Sequence, residues 1–578
     1  MVVAIVATSS LIAAPREPKT TPLDVAAEVD RLLAEIWAEA FTSPAAPATP
    51  EAFFRRLSLD VRGVIPHADE VERFVADRSP DRVLRWTTWM IETPDYAEHQ
   101  AETWVHALIG RDGDPDGLDR DGFRLYLRDA FLRNRPYSEL VREILSSEGL
   151  ASDSPGANFF LRYEGRPEDT AGRVARVFLG TRIECAECHD HPYADVKREE
   201  FYGFAAFFAR TRRYRDEDRA GGDSNRYGVR DAEDGELTMP PMKQGEKPIE
   251  VKPVVFGERF DPAKHLTKAP IGDARYAAKA RGSSAPSSAE MRDDATRRSA
   301  RDARSRATRG SRRTQLVEWL TGAENKYFAR SLVNRVWAQF LGKGFVNPID
   351  DFSEESKIVL PKVLDYLSRD FVENGYDIAR LIRIVVATRA YRQQAVRGVP
   401  GGIVPGEDHD IFTSLPIRPL EAEALARSVL RATGLEEPQP EENSRRVREF
   451  VAKARRDFSR RFGIDETERR AEFQGTVLQV LLLFNGEFTG GKAPTSRPFH
   501  AEYEKKYPGN LDVVLHGVAP TQQIDRLFLS TLSRSPTAAE RQTFEQHLFG
   551  ARDDAARQRA LADIQWALLN SAEFVHSG

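Results

Sequence analysis

Both cysteines of the chain fall in one segment, Glu184-Cys185-Ala186-Glu187-Cys188-His189-Asp190-His191-Pro192. The spacing is C-x-x-C-H, the pattern of covalent c-type haem attachment. Two thiols three positions apart can reach the two vinyl groups of one porphyrin as thioethers. The histidine beside the second thiol is then held beneath the iron as its proximal ligand. On this reading Cys185 and Cys188 bind haem c, and His189 ligates its iron.

Other chemistries use the same residues. A structural zinc site needs four ligands, and only Cys185, Cys188 and the two nearby histidines are close in sequence, with no second Cys-x-x-Cys. A thioredoxin-like redox pair belongs in an alternating βα pattern that the surrounding sequence lacks. A plain disulfide is compatible with an oxidising compartment but leaves His189 and His191 unexplained. These alternatives stay open on spacing alone. Confinement of cysteine to this one motif favours haem, because stray thiols interfere with thioether formation outside the cytoplasm. His191 is too near His189 to reach the opposite face of the same porphyrin, and a structural role suits it better.

The elements that must position the motif read as mostly helical. Leu23–Phe41 places Val25, Val29, Leu32, Leu33, Ile36 and Trp37 on one face. Helices are predicted over 51–57, 68–77, 81–91, 96–109, 122–133 and 138–147, with Ser79-Pro80 and Thr93-Pro94 as helix starts. Helical periodicity resumes after Thr314, over 315–320, 328–341, 359–374, 378–391, 420–433, 441–458, 473–485, 521–532, 538–548 and 554–570. Residues 395–411 read as a Gly/Pro loop. LLLFNGEF (481–488) and ALLNSAEF (567–574) are one weak internal echo, too short to define a repeat.

Between the halves the composition changes. Residues 236–256, with prolines and alternating apolar positions, predict a short extended ribbon. Residues 281–313 hold ten arginines against four acidic residues and no large aliphatic side chain. Such a run cannot bury a core and reads as a flexible insertion; its interspersed acids argue for solvation rather than anion binding. The expected fold is mostly α: a multi-helix two-domain protein with a short β ribbon and a low-complexity insertion between the halves. Its segments are 1–21, signal-like or disordered; 22–214, helical with the C-x-x-C-H motif; 215–280, ribbon and linker; 281–313, linker; and 314–578, helical.

In its 578 residues, 84 Lys and Arg stand against 89 Asp and Glu, a formal charge of −5. That balance argues against a dedicated nucleic-acid binder. No apolar run approaches the ~18 residues of a membrane-spanning helix. Met1–Ala14 is apolar and small, like the core and cleavage region of a secretory signal, though no Lys or Arg precedes it and Pro15 follows it. Export to the periplasm or beyond is the expectation. Gly490-Gly491-Lys492-Ala493 lacks the rest of a P-loop, and neither H-E-x-x-H nor G-x-S-x-G occurs.

The segment VARVFLGTRIECAECHDHPYADVKREEFYGFAAFFAR (174–210) resembles the core signature of the planctomycete-type DUF1549 domain, and FFRRLSLDVRGVIPHADEVERFVAD (53–77) resembles that domain's start. FARSLVNRVWAQFLGKGFVNPIDDF (328–352), VVATRAYRQQ (385–394) and ALLNSAEF (567–574) resemble the companion DUF1553 domain. The resemblance covers nearly the whole chain. It implies an exported protein of a family often fused to a separate cytochrome c-type domain. Three departures stand out: Thr103-Trp104 where the family often has His-Trp, Gln339 where it often has His, and Met239-Pro240 where a His-Pro aligns.

His and Met are the common sixth ligands of c-type haem iron, so Met239 becomes the distal-ligand candidate; the competing reading packs it in a hairpin. His106, four residues from Glu102 on a helical face, is a second candidate, though a solvated or packed histidine suits that position better. Arg173, Arg176 and Arg182 could pair haem propionates or form ordinary salt bridges. Asn334, Arg335, Trp337, Asp350 and Asp351 read as a buried polar anchor. The leading expectation is an electron-transfer protein with one covalent haem and a redox partner protein, such as another cytochrome. A haem redox enzyme with an open distal face, and a scaffold whose cysteine pair is a disulfide or metal clip, are the alternatives, so whether the chain is an enzyme stays open.

Overall fold

The computed structural model describes residues 20–577 except 112, 193–195, 220–221, 223–225, 244–246, 256–310, 323–324, 354–355, 397–410 and 435–509, and gives only the backbone of 510 and 512. Most of the 1–21 and 281–313 segments, the 441–458 and 473–485 helices, the 481–488 echo and Gly490–Ala493 therefore lie outside the described residues.

The described chain is mostly helical, and local sequence sets many of the helix starts. Thr21 caps the helix Pro22–Glu39 in a reciprocal box with Asp24, and Pro22 supplies a pre-set φ at its first turn. Pro50–Arg62, Pro94–Ile109, Pro167–Val174 and Pro361–Glu373 also begin with proline. Thr93-Pro94 thus starts a helix as expected. Ser79-Pro80 does not: Asp81 precedes the helix Arg82–Ile91, and Ser79 spends its hydroxyl on Asp77.

Sheet structure is confined to small pieces. Thr211–Arg215 and Gly149–Leu150 flank Tyr227–Asp231 antiparallel on either side. The expected ribbon is Leu237–Met239 paired antiparallel with Ile249–Val251, placing Met239 opposite Ile249.

One apolar core takes residues from both sides of the low-complexity run. It joins Val25 through Val251 with Leu316 through Leu415, and Tyr137 stacks on Phe328 across that divide at 4.8 Å between ring centres. A second core packs Leu59 and Ile65 against residues 422–574. The helix Pro50–Arg62 serves both cores: Phe53, Phe54, Leu57 and Val61 enter the first, Leu59 the second.

Three arginines of that helix are buried, which costs dearly unless each charge finds polar partners. Arg55 donates to the Thr531 and Phe574 carbonyls, each at 2.9 Å. Arg56 donates to the carbonyls of Tyr391 (2.7 Å) and Gln393 (2.9 Å), and Arg62 pairs with Glu70 at 2.6 Å. Asp60 accepts from the Tyr391 hydroxyl at 2.8 Å and from Arg418 at 2.9 Å. The run FFRRLSLDVR is therefore a hub whose charges reach chain more than 300 residues away.

Candidate functional site

Ahead of the cysteines the helix Pro167–Val174 widens into a π turn, Ala175–Leu179, and stops at Gly180 with φ +67°. That left-handed backbone favours glycine, and space requires it too: a Cβ there would lie 2.7 Å from the Phe352 ring. The chain then passes Thr181–Ile183 without regular structure and closes one 3-10 turn, Glu184–Glu187. Ile183 and Ala186 are fully buried, and these two apolar side chains seat the turn.

The same geometry turns the reactive groups outward. Cys185 and Cys188 are both exposed and free, and His189 is exposed beside them. His189 Nδ1 lies 2.7 Å from the Asp190 carbonyl oxygen. A carbonyl can only accept, so this contact places a proton on Nδ1, and in the neutral imidazole the lone pair is then on Nε2. Metal-binding histidines are oriented by this kind of bond. Asp190 in turn accepts from the Arg198 backbone N–H at 3.1 Å and from Lys197 Nζ at 3.0 Å, and these two bonds hold its carboxyl below the usual range.

Arg198 locks the turn from behind. Its buried guanidinium donates Nε to the Glu187 carbonyl at 3.0 Å and Nη2 to the Pro240 carbonyl at 2.8 Å. It also lies over the Tyr202 ring, 5.2 Å from the centroid. One side chain thus joins the cysteine turn to the end of the Leu237–Met239 strand. Sequence reasoning missed it, because an arginine in Lys197-Arg198-Glu199-Glu200 reads as one more solvated charge.

A second brace comes from the other half of the chain. Asp350 pairs with Arg176 at 2.8 Å and with Arg182 at 2.7 Å. The Phe352 N–H donates to the Gly180 carbonyl at 2.7 Å, and Ser331 Oγ to the Val177 carbonyl at 3.1 Å. The Asp350 loop is itself held by Asn334, which is fully buried. Its amide donates to the carbonyls of Val346 (3.1 Å) and Ile349 (3.0 Å), and its oxygen accepts from the Val346 N–H at 3.1 Å. The anchor role read for Asn334 and Asp350 is the one they fill. Arg176 and Arg182 serve this framework, and Arg173 donates to the Ala107 carbonyl at 3.1 Å.

The other predicted site residues are not among the exposed groups of the turn. Met239 is 4% exposed and belongs to the first core, so its thioether is packed in the ribbon. His106 sits between the helices Pro94–Ile109 and Ala422–Ala432, with Nε2 3.5 Å from a Glu423 oxygen that Arg111 also contacts. Burial pushes this imidazole down to about 4, against the opposing pull of Glu423. Among the described residues no group of three or more His, Cys, Asp or Glu is arranged to hold a metal ion, and no helix is long and apolar enough to cross a membrane.

A covalent haem asks for two accessible thiols on one turn and an imidazole with Nε2 free, and the residues of this turn fit that demand.

Residues 28–213 match the model of PSCyt2, a protein of unknown function (DUF1549), and residues 312–548 that of PSD1, a protein of unknown function (DUF1553). No match is found among curated proteins or solved structures. The first region contains the cysteine turn and the second the Asn334–Asp350 brace that holds it, and the chain belongs to the DUF1549/DUF1553 family.

Proposed function

We propose that the chain is an exported protein that carries one haem c on Cys185 and Cys188 and exchanges electrons with a partner protein. The observation that carries this reading is the combination on a single turn of two exposed free thiols and a histidine whose Nδ1 is held by the Asp190 carbonyl. Each thiol adds across one vinyl group, its sulfur bonding to the vinyl carbon next to the ring and its hydrogen passing to the terminal carbon. No oxidant is consumed. His189 would hold the iron through Nε2, with the Asp190 carbonyl accepting its Nδ1–H and orienting the ring. When bound, haem iron supplies a one-electron couple.

The rest of the site's work is positioning. Arg198 fixes the backbone of the turn, and Asp350, on the loop that Asn334 holds, braces the segment ahead of it through Arg176 and Arg182. Glu184, Glu187 and Asp190 are exposed on the turn, with Lys197 paired to Asp190; partial burial, then the nearby charges of Glu168 and Asp169, raise the Glu187 carboxyl against the pull of Arg166. A redox partner with a basic docking face suits this surface, with association weakening as salt rises.

The test is a haem-stained denaturing gel of protein exported from a host that matures c-type cytochromes. The wild type is expected to keep a stained band, and the Cys185→Ala/Cys188→Ala double variant to lose it. An unstained wild type, or a band surviving in the double variant, contradicts covalent attachment.

A further inference from the structure

We infer that Met242, and not Met239, is the side chain that closes the second axial position of the iron, an inference that rests on the haem reading above. The expectation for Met239 comes from its alignment with a family histidine. In the fold that side chain points into the core, at 4% exposure, in a strand whose register is fixed by Leu237↔Val251 and Met239↔Ile249. Bringing its sulfur to the surface would empty a core site and break the ribbon. Three residues further on, Met242 is 68% exposed, the one described methionine with a thioether in solvent, since Met90 is fully buried.

Position argues the same way. Arg198 holds the Glu187 and Pro240 carbonyls on one guanidinium, and Glu187 lies between the two cysteines. Met242 follows Pro240 by two residues, so its backbone starts beside the turn that would carry the haem. At no more than ~3.6 Å per residue, Met242 lies within about 7 Å of Pro240, and its unbranched side chain with three rotatable bonds can swing toward the cysteine turn. The thioether is also chemically apt, being a soft neutral donor that c-type iron accepts opposite histidine.

The described histidines are spent or remote. His106 faces Glu423, and His99 is buried with its ring against Gly63. His67 lies at the start of the helix Ala68–Ala76, and His191 shares the proximal turn. His516, His547 and His576 belong to the C-terminal segment that surrounds the second core. Lys197, the nearest amine to the motif in sequence, is paired with Asp190.

The test uses the full-length exported protein, stained first for covalent haem and then examined by absorption. Wild-type ferric protein is expected to be low-spin, with the weak far-red band of sulfur-to-iron charge transfer, and its ferrous form to resist carbon monoxide. Met242→Ala should keep the stained band, lose the far-red band and bind carbon monoxide. Met242→His should restore a low-spin spectrum without the far-red band. Met239→Leu, a swap of similar volume inside the core, should leave the far-red band in place. A wild type without the far-red band, its survival in Met242→Ala, or its loss in Met239→Leu alone would overturn the assignment. Failure to stain the wild type would sink the haem reading itself, and is seen on the gel before any spectrum is taken.

Discussion

The cysteine turn and the brace beneath it are built on opposite plans. Along Ile183–Asp190 the backbone is tied down while most of the side chains stand in solvent: Arg198 holds the Glu187 carbonyl, Asp190 accepts from the first N–H of the next helix, and only Ile183 and Ala186 are buried. Along Asn334–Asp350 the key side chains are consumed internally. Asn334 spends both ends of its amide on the loop, and Asp350 meets two guanidiniums. The contrast separates chemistry from stability. The side chains exposed on the turn contribute little to holding it together; the groups that hold it are Arg198 beside it and Asn334 and Asp350 in the other half of the sequence.

That separation can be broken at its strongest point first. Asn334→Ala strips three bonds and leaves the Val346 N–H and two carbonyls unpaired in the interior. At ~1–3 kcal/mol for each buried group left without a partner, the loss should be about 4 kcal/mol in urea unfolding, with haem attachment falling in proportion to the folded fraction.

The next largest effect is a pH dependence at another tie between the halves. His106 is held down to about 4, below its ordinary value of 6.5, so between these two values the unfolded chain binds the extra proton. Its contribution is fully present above pH 6.5 and lost as pH falls toward 4, worth up to about 3 kcal/mol. Burial causes the depression, and Glu423, Arg111, Glu421 and Arg120 are the charges that face it. Stability measured across this window should flatten in His106→Gln, an uncharged replacement that keeps a polar tip.

Asp350→Asn is expected to cost about 2 kcal/mol, because two guanidiniums then share a neutral amide. It should leave the far-red band at its wild-type position in whatever protein folds, which separates bracing from ligation. The smallest effect on folding is expected at the thiols themselves. Cys185→Ala and Cys188→Ala remove exposed thiols and should change the stability of the haem-free chain by no more than about 0.5 kcal/mol. A loss of several kcal/mol in either haem-free variant would make the pair structural and erase the contrast.

Much of the helical framework was legible in the sequence, because apolar residues spaced at helical intervals leave few other folds. The face of Val25, Val29, Leu33 and Trp37 is the buried one, with Leu32 and Ile36 packed partly against the core. The 328–341 and 554–570 patterns correspond to Lys326–Leu341 and Asp554–Leu569. The ribbon was legible from its prolines and alternation. The three-stranded sheet was not: TRRYR and YGVRD carry so much charge that no strand alternation survives.

Charge in the interior was the least legible feature of all. Arg55, Arg56, Arg62 and Arg198 look solvated in sequence, and only the distant carbonyls and carboxylates they meet make burial possible. Arg312 and Arg313, at the end of the low-complexity run by composition, open the helix Arg312–Leu320 and are buried against Glu236 and Asp231. The motif itself was visible at once, while the partners that hold it, such as Asp350 lying 168 residues from Arg182, required the fold.

The most direct test of the central claim is a pyridine haemochrome spectrum of the exported protein after acid–acetone extraction. Retention in the protein of a c-type band, with its loss when Cys185 and Cys188 are both replaced by alanine, is the predicted result. A colourless protein with Cys185 joined to Cys188 as a disulfide would contradict it, and would make the turn a structural clip rather than a seat for haem.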